Sequence, residues 1–129
     1  MRMRALLPAV VMAASLAGCS VSPCENEVLD SVTSPDGKMA ALVFSRECGA
    51  TTGANIQISI VGEGIVPRDA GNTFIMDGAS YSPDIRPRWI DGDHLVLTIP
   101  EYSRVFLKNS LVERTRISYQ DKRTGFEPD

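Results

Sequence analysis

Residues able to carry chemistry are few and scattered in this chain. Its single histidine, His94, stands in Asp91-Gly92-Asp93-His94, a grouping that a bound metal or an acid–base pair could use. A usual metal site needs further His or free Cys ligands, and there is no second His to supply one. A serine triad would have to use the same His94, yet no G-x-S-x-G elbow is present. Asp91-Gly92 itself reads as a turn. The expectation is a protein with no catalytic residue, no metal and no cofactor.

Binding chemistry is better represented. In Cys48-Gly49-Ala50-Thr51-Thr52-Gly53 two glycines let backbone N–H groups approach a ligand, and two threonines offer hydroxyls. The same residues would also build a tight loop beside a disulfide. A second polar stretch, residues 79–87, carries Ser80, Tyr81 and Arg86, and Arg88 follows it. Arg86 and Arg88 beside Trp89 suggest cation–π chemistry, although a lone Trp at a strand entry also serves as a core plug with its arginines facing water. The candidate binding set is therefore Gly49, Thr51, Thr52, Gly53, Ser80, Tyr81, Arg86 and Arg88. For these to form one site, the two loops must share one end of the fold.

The elements that position them begin with the leader. Arg2 and Arg4, the apolar run 5–16, then Ala17 and Gly18 follow the order of a secretory signal. The run is shorter than the roughly 18–20 residues of a spanning helix and contains Pro8. Leu16-Ala17-Gly18-Cys19 resembles the lipobox of bacterial lipoproteins. That resemblance implies cleavage before Cys19, lipidation of its thiol, and an anchor of more than one acyl chain, which holds a protein firmly. Ser20, where an Asp would favour the inner membrane, implies the outer membrane facing the periplasm. Residues 1–18 are then a signal peptide, 19–23 anchor and tether, 24–121 one folded domain, and 122–129 a frayed tail. Fully extended, residues 20–23 span roughly 15–18 Å, so the domain is held close to the membrane.

Removing 18 of the 129 residues leaves 111, enough for one domain with a real core. Arg2 and Arg4 leave with the leader, so 11 basic residues face 16 acidic ones and the net charge is about −5. No basic footprint for nucleic acid exists. The partners to expect are the membrane, through Cys19, and an envelope protein or peptidoglycan-related ligand. Of the three cysteines, lipid takes Cys19, and Cys24 and Cys48 form an even pair in an oxidising compartment. Their disulfide closes a loop of about 25 residues, worth about 3.5 kcal/mol in the chain-entropy model.

Along the domain, 27–33 and 38–47 read as strands around the turn Ser34-Pro35-Asp36-Gly37. The second of these is apolar enough to be buried on both faces. Residues 55–61 alternate, with Ile56, Ile58 and Ile60 on one face and Asn55, Gln57 and Ser59 on the other, which predicts a half-buried strand. A loop over 62–71 and a short strand over 73–76 follow. Strands over 88–90 and 94–99 flank Asp91-Gly92. Residues 104–108 and 111–120 predict a final hairpin around Asn109-Ser110. No helical period is sustained. The fold class is an all-β, single small antiparallel domain of about seven or eight short strands, a twisted meander, a sandwich or a partly closed barrel.

Asp36-Gly37 and Asp91-Gly92 each precede an apolar strand, a weak internal similarity. Ser34-Pro35-Asp36-Gly37-Lys38 resembles the hairpin of periplasmic β-propeller blades, but two such units cannot close a propeller. Together with Cys24-Glu25-Asn26-Glu27, Cys48-Gly49-Ala50-Thr51-Thr52-Gly53, Gly71-Asn72-Thr73-Phe74 and Arg88-Trp89, it resembles a family of small bacterial proteins of unknown function, many of them lipoproteins. That family supplies no activity. Asp77-Gly78-Ala79-Ser80-Tyr81 with Trp89, Gly92-Asp93 and Leu95 resembles the inhibitory loop and next strand of periplasmic lysozyme inhibitors, with Asp77 where that family has serine and with different cysteine positions. The function expected is a membrane-anchored, non-enzymatic binding or structural lipoprotein. A muramidase inhibitor is the alternative, and an envelope hydrolase using His94 as general base a lower one.

Overall fold

Residues 24–49, 53–78, 85–100 and 104–121 are described by a computed structural model of the chain. They form nine strands and no helix: β1 Glu25–Thr33, β2 Met39–Glu47, β3 Asn55–Gly62, β4 Phe74–Asp77, β5 Arg86–Asp91, β6 His94–Ile99, β7 Val105–Lys108, β8 Leu111–Val112 and β9 Thr115–Asp121. One sheet has the order β1-β2-β3-β4-β7, the other β5-β6-β9-β8, and neither closes into a barrel. The chain is all-β, and the inner faces of both sheets meet in one core.

Ala41 and Val43 of β2, Ile56, Ile58 and Ile60 of β3, and Phe74 and Met76 of β4 supply that core from the first sheet. Ile85, Leu95, Leu97, Ile99 and Ile117 supply it from the second. β2 is buried on both faces as its apolar run requires, because Ala40, Leu42 and Phe44 form a second cluster with Val61 on the outer face. Trp89 joins the sheets without a ladder: its indole packs on the core while Nε1 donates to the Val32 carbonyl at 2.8 Å.

β3 departs from the half-buried strand expected of it. Gln57 and Ser59 are only 3% and 2% exposed. The chain after β3 folds back as a strap over residues 63–72 and covers them. Gln57 Oε1 accepts from Gly71 N at 2.6 Å, and Ser59 Oγ accepts from Asn72 N. The strand alternates as its sequence does, but its polar face pairs with backbone instead of water.

The predicted final hairpin does not form. β7 pairs with β4 in the first sheet, whereas β9 lies parallel to β6 in the second. Asn109 and Ser110 turn a corner between the sheets. Asn109 N donates to Thr73 O and Ser110 O accepts from Ile117 N, so the two residues are bonded to opposite sheets. Parallel neighbours need a crossover, and here the strands β7 and β8 provide it. The expected strand over 111–120 is cut at Glu113, whose φ of 52° turns the chain between β8 and β9. The fold is thus mixed at one strand pair, not wholly antiparallel, and has nine strands.

Edge strands β1, β5 and β7 each contain a register shift, at Leu29, Ile90 and Phe106 respectively. Such bulges break the regular row of backbone groups that another strand would need.

Candidate functional site

The register of the first sheet gathers one end of the fold. Asn26 pairs with Arg46, Arg46 with Asn55, and Asn55 with Asp77. Cys24 and Cys48 are disulfide-bonded one position beyond the Glu25–Glu47 pair, closing the first hairpin covalently. Gly49 and Gly53 flank the β2–β3 connection at this end. Gly78 is there too, close enough to Ile56 that an added Cβ would touch its Cγ1 at 3.7 Å. The bases of the two candidate loops therefore stand side by side. Thr51, Thr52, Ser80 and Tyr81 lie outside the described residues. Arg86 and Arg88 are exposed on β5 in the second sheet, outward of the buried Ile85 and Pro87. Their neighbour Trp89 is the core-packed residue bonded to Val32, so its ring edge is already engaged.

At the opposite end the two Asp-Gly turns meet. In the first, Gly37 N donates to Ser34 O at 2.9 Å and Gly37 has φ 74°. Ser34 Oγ donates to Asp36 Oδ1 at 2.6 Å and accepts from Met39 N at 3.0 Å. Asp36 Oδ1 also accepts from Lys38 N. The Ser34 hydroxyl and then the Lys38 N–H hold the Asp36 carboxyl below the ordinary carboxylate range. In the second turn Asp91 Oδ1 accepts from Asp93 N. A side-chain hydrogen bond between Asp91 and Asp93 pushes Asp91 down and Asp93 up. With Lys38, Met39, Glu113, Arg114 and Thr115 these turns line an open cleft of about 600 Å³. The Asp36, Asp91 and Asp93 carboxylates of this cleft are bonded within their own turns. Among the described residues no group of three or more His, Cys, Asp or Glu could hold a metal ion.

His94 begins β6 beside this end. Its Nε2 lies 2.8 Å from Ser118 Oγ of β9. Ser118 was not a sequence candidate, because only the parallel pairing of β6 with β9 brings it there. Asp77-Gly78 and Gly92-Asp93, both drawn on by the likeness to lysozyme inhibitors, fall at opposite ends of the domain.

The Gly71-Asn72-Thr73-Phe74 stretch acquires a structural explanation. β4 pairs with β3 only as far as Phe74–Ile58. Beyond it the Asn72 side chain continues the ladder, Oδ1 accepting from Ile60 N at 2.9 Å and Nδ2 donating to Ile60 O at 2.8 Å. Gly71 is required by contact: a Cβ there would stand 2.9 Å from the Ile58 carbonyl oxygen. Tyr119 completes the corner by donating to Asn109 O at 2.6 Å, with the Lys108 ammonium 4.8 Å from its ring centroid. Burial raises its hydroxyl to about 12. No family model matches the chain, and no curated protein or solved structure matches it significantly.

Proposed function

We propose that this chain is a lipid-anchored protein of the bacterial cell envelope that acts by binding, through the surface at its disulfide-bearing end. The observation behind this reading is the Cys24–Cys48 bond. It suits an oxidising compartment and uses two of the three cysteines, leaving Cys19 for the acyl anchor. Cys24, where a tether from Cys19 would join the domain, stands at this end with Gly49, Gly53 and Gly78. A partner meeting that surface is met at the membrane, which favours an envelope protein or a peptidoglycan-related ligand. The test is to express the full chain in a Gram-negative host and extract it with detergent. Its intact mass should show a mature N-terminus at Cys19 carrying acyl chains, and a mature chain beginning elsewhere sinks the reading. Crosslinking in the envelope then identifies the partner.

The His94–Ser118 contact favours a second reading, a hydrolase in which His94 activates Ser118. Labelling of Ser118 by a fluorophosphonate, abolished by His94→Ala, would establish it in place of the binding role. For the muramidase-inhibitor alternative, absence of inhibition at micromolar protein removes the idea.

A further inference from the structure

The strap over residues 63–72 leaves an apolar groove on the outer face of the first sheet. Val28 of β1, Ala40 and Leu42 of β2, and Ile65 and Val66 of the strap line it together with Ser31, Glu63 and Gly64, around about 270 Å³. Val28, Ile65 and Val66 are 41%, 58% and 68% exposed. Scattered exposed aliphatics need no explanation, but these three border one depression. Register places Val28 opposite Phe44, on the same face as Leu42 and Ala40. The other exposed large apolar residues among those described lie elsewhere: Ile90 is on β5 and Leu111 on β8 of the second sheet, while Val105 and Phe106 are on β7, at the edge of the first sheet away from β1, with the Arg104 guanidinium 5.3 Å from the Phe106 ring centroid.

We propose that Val28, Ile65 and Val66 rest in the interfacial layer of the bilayer that anchors the chain, so that the domain lies on its strap. The proposal depends on the lipoprotein reading above and goes beyond it by naming the face. Reach supports it. The tether of residues 20–23 spans at most about 15–18 Å, and Val28 lies only four residues into the domain from Cys24, about 13 Å of strand. Charge supports it as well. Although the mature chain carries about −5, the strap face balances Arg46 and Arg68 against Glu63 and Asp69. The strap is also held firmly: Asn26 Nδ2 donates to the carbonyls of Pro67 and Asp69, and Arg46 Nη1 to that of Arg68. Ile65 and Val66 thus project from a fixed platform. Such a balanced face suits zwitterionic headgroups, into which aliphatic side chains insert.

The experiment uses the full lipidated chain in phosphatidylethanolamine–phosphatidylcholine vesicles with brominated acyl chains. Val66→Trp and, as a second variant with the same purpose, Ile65→Trp are compared with Leu111→Trp, over the constant signal of Trp89. Circular dichroism shows that each variant is folded. The emission added at 65 or 66 should fall by about half or more, because interfacial residues sit about 5–10 Å into the headgroup–acyl boundary. Emission added at 111 should be unchanged. Equal quenching at all three positions, or none at 65 and 66 in protein whose mass shows the acyl chains, overturns the docking face and leaves the lipoprotein reading intact. A mass without acyl chains overturns both.

Discussion

Asp36 lies against Gly92: a Cβ added to Gly92 would stand 2.8 Å from Asp36 Oδ2. This contact joins the β1–β2 turn of one sheet to the β5–β6 turn of the other, and a side chain at position 92 would have to displace the Asp36 carboxylate, which Ser34 and the Lys38 N–H hold in place. Gly92→Ala should destabilise the domain by about 1–2 kcal/mol, as overpacking does, read as a lower urea midpoint. If steric conflict is the cause, the loss shrinks in an Asp36→Ala background. Equal losses in both backgrounds would show that the contact is not tight.

The same Asp36 sets a pH dependence. Its folded pKa is depressed by Ser34 and the Lys38 N–H, so the stability it contributes is complete above the ordinary aspartate value of about 3.9 and disappears as pH falls through the lower folded value. Asp93 has the opposite sign: its folded value is raised, so its contribution is present at low pH and lost as pH rises through that value. Asp36→Asn should flatten the acid limb of urea stability measured between about pH 2 and 5. An unchanged limb would refute the assignment.

At the alkaline side, Tyr119 should titrate at about 12. For a phenol raised by burial, stability is intact below about 10 and is lost as pH climbs towards the folded value. Ultraviolet absorbance should show a tyrosine ionisation at about 12, and Tyr119→Phe should remove it. Loss of the bonds to Asn109 O and Thr73 O should cost about 1 kcal/mol.

The strap supplies a further prediction. Gly71→Ala drives a methyl into the Ile58 carbonyl and should cost about 2–3 kcal/mol. Asn72→Ala removes both bonds to Ile60 and should cost about 2 kcal/mol. Hydrogen exchange at the Ile60 amide should accelerate in both variants while the Val96 amide of β6 keeps its protection. Uniform acceleration would mean that the strap is not a separable unit.

Reducing the Cys24–Cys48 disulfide should lower stability by about 3.5 kcal/mol in the chain-entropy model, with Cys24→Ser/Cys48→Ser reproducing the loss. A loss near zero would show that the β1–β2 turn alone closes the hairpin.

The all-β class, the two Asp-Gly turns, the doubly buried β2 and the pairing of Cys24 with Cys48 were legible in the sequence. Each depends on local pattern or cysteine parity, which need no knowledge of distant neighbours. Periodicity could also say that Gln57 and Ser59 oppose the isoleucines, but not that a strap would dry them, since solvent-facing and backbone-facing polar rows have the same alternation. The separation of β7 from β9, the parallel β6–β9 pair and the meeting of His94 with Ser118 were not legible. A two-residue link is compatible with both a hairpin and a corner, and the choice was made by Asn109 bonding to Thr73 while Ser110 accepts from Ile117. For the candidate loops, composition identified the residues, whereas the Asn55–Asp77 register placed their bases at one end. Local pattern is encoded in neighbouring residues, but which surfaces share an end is settled only when long-range strand pairing satisfies the backbone of the whole sheet.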